Sequence, residues 1–312
     1  MSSSVEKAKK LAAQQAVADH FSRSFTYVGI GSGSTIKYVV EAIAHLLKGT
    51  SSETIPAPSL NAEAKSINQR RPSLDYGIAF IPTGYQSRQE ILENGLTPVL
   101  FDQLPDDVTL DVAFDGADEV DDDLNCIKGG GACLFQEKLV AQRARKFVCV
   151  ADYRKAQPRL LTEWPSIPIE VAPIAAPSVI KALRALGSIE PALRLNPLAK
   201  SGPLKTDQDF YIIDAPFGQP LLTKSDMEAS GESIGTSVDG KWEVVKLAKA
   251  IRNITGVLEV GLFCGYDGIE AEELKEAKGK GQRPVAVYFG LQDGSVMTRV
   301  RKGGVPGMKS IA

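Results

Sequence analysis

Histidine is scarce in this chain: His20 and His45 are the only two among 312 residues. Both lie in segments whose apolar residues follow a helical period. A Ser-His-Asp triad, a histidine-rich metal site or a zinc motif with two histidines is therefore nearly excluded. If the chain is an enzyme, we expect carboxylates and lysines to move its protons.

Several other features are missing. The four cysteines form no CxxC pair, which is typical of a reducing compartment. No run of about 18 apolar residues occurs, and the first ten residues lack an apolar signal region. Lys plus Arg (36) and Asp plus Glu (38) nearly balance, unlike the basic excess of nucleic-acid binders. We therefore expect a soluble, cytoplasmic protein that binds neither a membrane nor nucleic acid.

The remaining composition is that of a globular protein, with 43% hydrophobic and 24% charged residues. Short apolar strands alternate with helical patterns, which predicts a doubly wound, mostly parallel, Rossmann-like α/β sheet. The predicted strands are 26–30, 77–83, 97–101, 110–114 and 147–152, and the clearest helical patterns are 5–21 and 36–47.

The pattern changes at 162–178, where four prolines interrupt it. Beyond this point a helix (178–186) and strands (210–217, 258–263) predict a second, smaller α+β domain, before a closing hairpin at 285–301 with Gln-Asp-Gly at its turn. We assign 1–165 plus 256–312 to the Rossmann-like catalytic domain and 166–255 to the smaller domain. The polar, Pro/Ser-rich stretch 49–75 is predicted to contain a surface insertion, and the charged stretch 268–284 is expected to be an exposed one.

The first motif is the Gly-rich turn 28–35, Val-Gly-Ile-Gly-Ser-Gly-Ser-Thr, between a strand and a helix. Its glycine spacing fails the dinucleotide-binding pattern, and no Gly-Lys-Ser/Thr follows, so it is not a P-loop. Its backbone N–H groups and hydroxyls could hold one phosphate at the positive end of the helix. The alternative is a tight turn with a capping Ser or Thr.

The second motif follows the apolar strand 110–114. Asp115 comes directly after it, at the strand end where α/β proteins bind ligands, and Asp118 follows a Gly-Ala turn. We interpret Asp121 to Asp123 as a solvated acidic loop. A calcium loop starting at Asp121 would need Gly at its sixth and Glu at its twelfth position, where Cys and Ala stand instead.

The third motif begins with Lys128, which ends an apolar run and precedes three glycines that permit close approach to a ligand. A predicted helix follows, and Glu137 lies on a largely apolar stripe of it. Such a semi-buried acid suits a general base. The alternative is that Glu137 simply forms an ion pair with Lys128, Lys138 or Arg145.

Together the three motifs place a phosphate-binding turn, two carboxylates, a lysine and a semi-buried glutamate at strand-to-helix junctions of one sheet. This set of groups suits proton transfer next to a carbonyl in a phosphorylated substrate.

At these residues the sequence closely resembles ribose-5-phosphate isomerase of the A type. The family's GxGSGST, DGADE, KGGG with a following helical EK pair, and ADxRK-like elements are matched in order and spacing. The matching residues are Gly29 to Thr35, Asp115 to Glu119, Lys128 to Gly131 with Glu137-Lys138, and Ala151 to Lys155. The resemblance covers most of the chain except predicted insertions at about 49–75, 218–240 and 266–283. The resemblance implies interconversion of ribose 5-phosphate and ribulose 5-phosphate without metal or cofactor, by a homodimer or homotetramer.

Carried over by position, the resemblance makes Glu137 the general base between C2 and C1 of an enediolate. Asp115 would assist ring opening, Asp118 would hold hydroxyls, and Lys128 would stabilise the oxyanion. Substrate contact is implied for Ser32, Gly33, Ser34, Thr35, Asp115, Gly116, Ala117, Asp118, Lys128, Gly129, Gly130, Gly131 and Lys155. Residues 202–209 depart from the family's usual turn, which we expect to affect assembly contacts more than chemistry.

Two other hypotheses stay open at this point. A non-catalytic sugar-phosphate sensor would need a helix-turn-helix segment and a basic surface, and neither is evident. An amino-sugar-phosphate deaminase or a CoA transferase shares the broad architecture. A CoA transferase would use a glutamate as covalent nucleophile, so Glu137 alone does not exclude it.

Overall fold

A computed structural model describes residues 2–49, 75–196, 202–230, 237–238, 241–274 and 281–305. Nearly all of the predicted insertion 49–75 lies outside these residues, as do parts of the other two predicted insertions. The helices are α1 Ser2–His20, α2 Ile36–Lys48, α3 Tyr85–Glu93, α4 Leu134–Arg143, α5 Ala176–Ala185, α6 Lys224–Ser230, α7 Val244–Arg252 and α8 Gly268–Glu273. The strands are β1 Tyr27–Ile30, β2 Ala79–Pro82, β3 Val112–Asp115, β4 Glu119–Val120, β5 Cys126–Ile127, β6 Phe147–Asp152, β7 Ile167–Val171, β8 Ala192–Leu193, β9 Tyr211–Ala215, β10 Ser237–Val238, β11 Lys241–Trp242, β12 Val257–Val260, β13 Leu262–Phe263, β14 Ala286–Gly290 and β15 Val296–Val300.

The central sheet has six strands in the order β15-β14-β6-β3-β1-β2. All neighbouring pairs are parallel except β14 with β15, the predicted closing hairpin. The predicted mostly parallel α/β sheet is confirmed. The chain runs from β1 to β2 on one side and then returns to β3 on the other. The carboxyl ends of β1 and β3 therefore flank a topological switch point, where open α/β sheets bind ligands.

Both faces of the sheet are buried. Successive residues of each strand point to opposite sides of the sheet, so each strand contributes side chains to two cores. Val112 and Phe114 of β3 pack in one core with residues of α1 and α2. Ala113, between them, packs in another core with Val140 of α4. The site-bearing turns at the strand ends are thus anchored by two separate cores, each with helices on its outer side.

A second, four-stranded antiparallel sheet has the order β12-β7-β9-β8 and its own core, which includes residues of α5 and α7. A three-stranded sheet has the order β13-β5-β4. Along the chain, β4 and β5 come between β3 and β6 of the central sheet, and β13 comes between β12 of the second sheet and β14 of the central one. β12 pairs with β7 in the second sheet although it falls in the 256–312 segment. The exact division into 1–165 plus 256–312 and 166–255 stays a prediction.

The predicted strand 258–263 is two strands that separate at Gly261. The Gly261 N–H donates to the Pro168 carbonyl at 2.7 Å, and the Gly261 carbonyl accepts from the Lys128 N–H at 2.9 Å. A Cβ at Gly261 would lie 2.4 Å from the Lys128 carbonyl oxygen. Glycine is therefore required where this strand passes from the second sheet to the site-bearing β5 segment.

Two local predictions are wrong. Residues 97–101 do not form a buried strand: only an isolated bridge joins Phe80 and Pro98. Proline lacks an N–H and confines such a segment to a sheet edge. The stretch 268–284 is not simply exposed, because Ile269 packs in the core of the central sheet and Asp267 caps α8 through its side chain.

No helix in the described part of the chain is both long enough and apolar enough to cross a membrane.

Candidate active site

The Gly-rich turn joins β1 to α2 at the carboxyl end of the central sheet. Gly33 has φ +107°, a conformation that favours glycine. A Cβ at Gly31 would lie 2.0 Å from the Asp115 carboxyl group, so glycine also allows the turn to touch β3. Thr35 is the N-cap residue of α2, but its hydroxyl makes no cap hydrogen bond. The alternative of a simple capping turn is therefore not what the structure contains.

Asp115 ends β3, as predicted, and its carboxylate is held from several sides. Oδ1 accepts hydrogen bonds from the N–H groups of Gly116 (2.7 Å) and Ser32 (3.2 Å). Oδ2 lies 2.8 Å from Lys128 Nζ. Burial raises the pKa of Asp115, while the Lys128 ammonium group opposes that rise. Asp115 is 2% exposed and is not among the described residues that line the cavity.

Lys128 is the centre of the charged group, because its ammonium contacts two carboxylates at once. Nζ lies 2.8 Å from Asp115 Oδ2 and 3.3 Å from Glu137 Oε2. It also donates to the Gly116 carbonyl at 2.6 Å. Burial by itself would lower the pKa of Lys128. The two carboxylates outweigh this effect and raise that pKa to well above its ordinary range. The side chain therefore stays a cation next to the cavity.

Glu137 lies in the first turn of α4 and is 4% exposed. Its Oε1 accepts from the Ser32 hydroxyl at 3.3 Å. Oε2 is near Lys128 Nζ, yet no hydrogen bond from any described residue reaches it. A buried oxygen without a donor costs free energy unless something else supplies one. The described residues therefore leave this oxygen without a hydrogen-bond donor, in a side chain that lines the cavity described below.

The structure decides among the ion-pair partners that the sequence left open for Glu137. Lys128 is the partner. Lys138 points elsewhere and donates to the Leu262 carbonyl at 2.6 Å, and Arg145 pairs with Glu272 at 2.9 Å. Glu137 can therefore pair with Lys128 and still be the candidate base, because both side chains line the cavity.

Asp118 and the three glycines form the opposite wall. Asp118 Oδ2 accepts from the Gly130 N–H at 2.8 Å, and burial raises the pKa of Asp118 while that hydrogen bond opposes it. A Cβ at Gly130 would lie 2.8 Å from Asp118 Oδ1, so a glycine is needed for this approach. The Gly129 backbone has φ +107°.

These groups surround a cavity of about 250 Å³. All the predicted substrate-contact residues except Asp115 line it, and so do several that the sequence did not single out. The lining predicted residues are Ser32, Gly33, Ser34, Thr35, Gly116, Ala117, Asp118, Lys128, Gly129, Gly130, Gly131, Glu137 and Lys155. The additional ones include Lys9, Gln86 and Asp152.

Two lysines line the cavity. Lys9 of α1 donates to the Ser34 hydroxyl at 3.1 Å and is also 3.0 Å from Glu6. Lys155 lies over the Trp164 ring at 4.5 Å. Lys9 was missed because α1 is distant in sequence from every motif, and a helical lysine carries no signal of its own.

The predicted solvated acidic loop at 121–123 is wrong for Asp121. That residue is fully buried, and its carboxylate accepts from the Asn125 N–H and side-chain amide, both at 2.8 Å. Burial raises its pKa to about 7. Asp122, in contrast, is exposed and pairs with Arg299 at 2.9 Å. Within the described ranges, no cluster of three or more His, Cys, Asp or Glu side chains could hold a metal ion.

Residues 202–209 contact the helices around the site. Asp207 Oδ2 accepts from the Tyr85 N–H at the start of α3 at 2.8 Å, and the Gln208 side chain donates to Gln136 of α4 at 2.8 Å. The departure of this turn from the family pattern therefore lies beside the cavity-bearing helices.

Comparisons with known proteins define the class. The sequence profile of the family described as ribose 5-phosphate isomerase A (phosphoriboisomerase A) matches residues 79–270. A relative from Schizosaccharomyces pombe named ribose-5-phosphate isomerase is 40% identical over 302 residues, which cover 96% of this chain and 86% of the relative.

Solved structures agree with this. A ribose 5-phosphate isomerase A from Methanocaldococcus jannaschii matches with a TM-score of 0.67 at 27% identity, over 95% of this chain and 99% of that one. A D-ribose-5-phosphate isomerase in complex with phospho-erythronic acid matches with a TM-score of 0.69 at 28% identity, with the same coverage.

Fold and site thus define an α/β enzyme with a cavity at the switch point of its parallel sheet. The chain belongs to the ribose 5-phosphate isomerase A family and is an isomerase. The sensor, deaminase and CoA-transferase hypotheses lose their support.

Proposed function

We propose that the chain interconverts D-ribose 5-phosphate and D-ribulose 5-phosphate through an enediolate, with Glu137 as general base. The observation that carries this proposal is the Glu137 carboxylate: Glu137 lines the cavity, and its Oε2 has no hydrogen-bond donor among the described residues and lies 3.3 Å from a buried lysine cation. A base next to a fixed positive charge suits the removal of a proton beside a carbonyl.

The substrate class follows from the family and from the cavity. One relative of known structure binds phospho-erythronic acid, a phosphorylated acid. In this chain, Ser34 and Thr35 at the start of α2 line the cavity together with Lys9 and Lys155. These residues supply N–H, hydroxyl and ammonium donors and form the proposed phosphate end. A helix N-terminus and cations are the groups that bind phosphate.

The chemistry runs at the other end. Glu137 takes the proton from C2 of the open-chain aldose, and the C–H electrons form the C1–C2 double bond while negative charge moves to the carbonyl oxygen. Lys128 stabilises that oxyanion. Glu137 then returns the proton to C1. The O2 hydroxyl proton is transferred to O1, so that C2 becomes the carbonyl carbon and C1 carries a hydroxyl group, which is the ketose.

Asp115 and Asp118 have different surroundings, which separates their roles. Asp118 lines the cavity and can accept from substrate hydroxyls. Asp115 is behind Lys128 and fixes its ammonium group at 2.8 Å. A direct part for Asp115 in ring opening, implied by the family resemblance, stays a prediction that needs the side chain to reach the sugar.

The experiment is ketose formation from ribose 5-phosphate by purified protein in excess EDTA, with Glu137→Gln and Glu272→Gln beside it. Glu272 is on α8 in an exposed ion pair, so its variant controls for the loss of a carboxylate. We expect EDTA-resistant turnover, reduced at least roughly 100-fold in Glu137→Gln and unchanged in Glu272→Gln.

Other outcomes have definite meanings. A near-normal rate in Glu137→Gln removes Glu137 as the base. Binding of ribose 5-phosphate without turnover by the wild type rejects the proposed reaction. Turnover that EDTA abolishes keeps the reaction but replaces the carboxylate mechanism with a metal-assisted one.

A further inference from the structure

One arginine of the second sheet reaches the glycine wall of the cavity. Arg194 directly follows β8, and its guanidinium Nη1 donates to the carbonyl oxygens of Gly129 at 2.9 Å and Gly130 at 3.1 Å. These are two of the three glycines after Lys128. Arg194 is not among the described cavity-lining residues, so it contacts the wall from behind.

The guanidinium is itself held in place. Nε donates to Asp214 Oδ2 at 2.8 Å and Nη2 to Asp214 Oδ1 at 2.5 Å, a two-pronged pair with a residue of β9. The Arg194 backbone N–H also donates to the Ile212 carbonyl on β9 at 2.8 Å. Both the side chain and the backbone of Arg194 are therefore fixed to the second sheet.

The hydrogen bonds from Arg194 to two successive carbonyl oxygens set the direction of these peptide groups. Every described peptide bond is trans, so each N–H points away from the carbonyl of the same peptide group. The Gly129 carbonyl faces Arg194, and the Gly130 N–H accordingly reaches Asp118 on the other side at 2.8 Å. The Gly130 carbonyl also faces Arg194, which puts the Gly131 N–H on the opposite side.

This wall needs an external restraint more than an ordinary loop does. Three consecutive glycines have no side chains to pack and can populate many backbone conformations. The segment begins at Lys128, whose ammonium must lie between two carboxylates, and ends at the start of the helix that carries Glu137. A shift of about 1 Å in such groups can cost roughly 100-fold in rate.

We propose that Arg194, oriented by Asp214, is a positioning residue for the isomerase reaction. It fixes the Gly129–Gly130 backbone so that Lys128, Asp118 and the Gly131 N–H keep their places around the sugar. This inference rests on the proposed function. It assigns a catalytic consequence to the second sheet, which otherwise contributes no residue to the reacting end of the cavity among those described.

Lysine cannot replace this arginine. A guanidinium offers five donors in a rigid planar fork, whereas an ammonium has three donors on a flexible stem. Arg194 uses its fork to bind a carboxylate on one edge and two carbonyls on another. Arg194→Lys therefore keeps the positive charge but loses the planar arrangement of donors. A loss of activity in this variant would show that the position of the donors matters and not only the charge.

The test compares Arg194→Lys, Arg194→Ala and Asp214→Asn with a matched control. Arg159 forms the same kind of two-pronged pair with Asp226, at 2.8 Å and 2.6 Å, and touches no cavity residue. Arg159→Ala thus removes an equivalent ion pair. For each variant kcat and KM for ribose 5-phosphate, the melting temperature, and hydrogen exchange at residues 129–132 would be measured.

We expect kcat to fall at least about tenfold in Arg194→Lys and more in Arg194→Ala, with KM changed less than about threefold because the phosphate groups are held elsewhere. Asp214→Asn should give a smaller loss in kcat. Exchange of the Gly130 and Gly131 amides should be faster in the Arg194 variants. Arg159→Ala should keep kcat and these exchange rates, and it should lower the melting temperature by less, because Arg159 is more exposed than Arg194.

Three results would overturn the inference: kcat within twofold of the wild type in Arg194→Ala, full activity in Arg194→Lys, or an equal loss of kcat in Arg159→Ala. If Arg194→Ala does not fold, Arg194→Lys and Asp214→Asn decide. Failure of the proposed function looks different, because the wild type itself would then not convert ribose 5-phosphate.

Discussion

The carboxylate of Glu170 accepts a hydrogen bond at 2.8 Å from the backbone N–H of Phe135. Glu170 belongs to β7 of the second sheet, and Phe135 is in the first turn of α4, two residues before Glu137. The N-cap residue of α4, Cys133, makes no cap hydrogen bond of its own. The helix that carries the candidate base is therefore capped by a side chain from another part of the fold.

This contact predicts the effect of Glu170→Ala on stability. The variant leaves a helix N–H without its acceptor and removes a negative charge from the positive helix end, so the free energy of unfolding should fall by about 1–2 kcal/mol. Urea unfolding measures it. Glu170→Gln, which keeps an acceptor oxygen, should lose less.

Glu243 supplies the matched control. Its side chain caps α7, away from the cavity, by accepting from the N–H groups of Val245 and Lys246. Glu243→Ala should cost similar stability but leave kcat unchanged, whereas Glu170→Ala should also lower kcat because α4 holds Glu137. Equal kcat in the two variants would contradict the link between this cap and catalysis.

Gly31→Ala should damage the site at its tightest contact. The new Cβ would lie 2.0 Å from the Asp115 carboxyl group, so Asp115 must move and lose the hydrogen bond from the Ser32 N–H. Overpacking of this kind costs about 1–3 kcal/mol, and kcat should fall at least about tenfold. Gly49→Ala, at the far end of α2, serves as control, and equal activities in the two variants would refute the prediction.

Lys9→Ala and Lys155→Ala test the phosphate end. Each variant removes a cation that lines the cavity, so KM for ribose 5-phosphate should rise roughly tenfold or more, with a smaller change in kcat. The effect should shrink at high salt. Lys10→Ala is the control, since Lys10 is exposed and its nearest partner is Glu41 at 3.8 Å. An unchanged KM in both lysine variants would show that the phosphate group is bound by other residues.

Asp121→Asn tests the pH dependence of stability. Burial raises the pKa of Asp121 to about 7, against about 3.9 in an unfolded chain. Between these values the folded protein holds a proton that the unfolded chain has released, so the Asp121 contribution to stability declines as pH rises from about 4 to 7.

The variant lacks this titration. We therefore expect the free energy of unfolding of the variant, relative to that of the wild type, to increase by at least about 1 kcal/mol from pH 4.5 to pH 7.5. Urea unfolding at the two pH values measures this difference. Asp122→Asn, at an exposed neighbouring position, should show no such gain. Parallel pH profiles of Asp121→Asn and the wild type would show that Asp121 stays ionised.

Local patterns were enough to predict much of this protein. Apolar runs and helical periods predicted the parallel sheet and the closing hairpin, because strand and helix periods are properties of short segments. Ser32 and Asp115 were correctly grouped, because turns that follow neighbouring parallel strands meet at one edge of the sheet. Lys128 was expected at the same sheet, which is wrong: it follows β5 of the three-stranded antiparallel sheet and reaches Asp115 from there. Glu137 was predicted in the same group by its place on the next helix.

The tertiary structure alone decided the contacts between distant segments. Lys128 rather than Lys138 pairs with Glu137, Lys9 of α1 lines the cavity, and Arg194 and Glu170 of the second sheet hold the glycine wall and α4. Burial of Asp121 belongs here too. Residue type and period state which face of an element is apolar, but they do not state which other element covers it. That choice depends on how all the elements pack together.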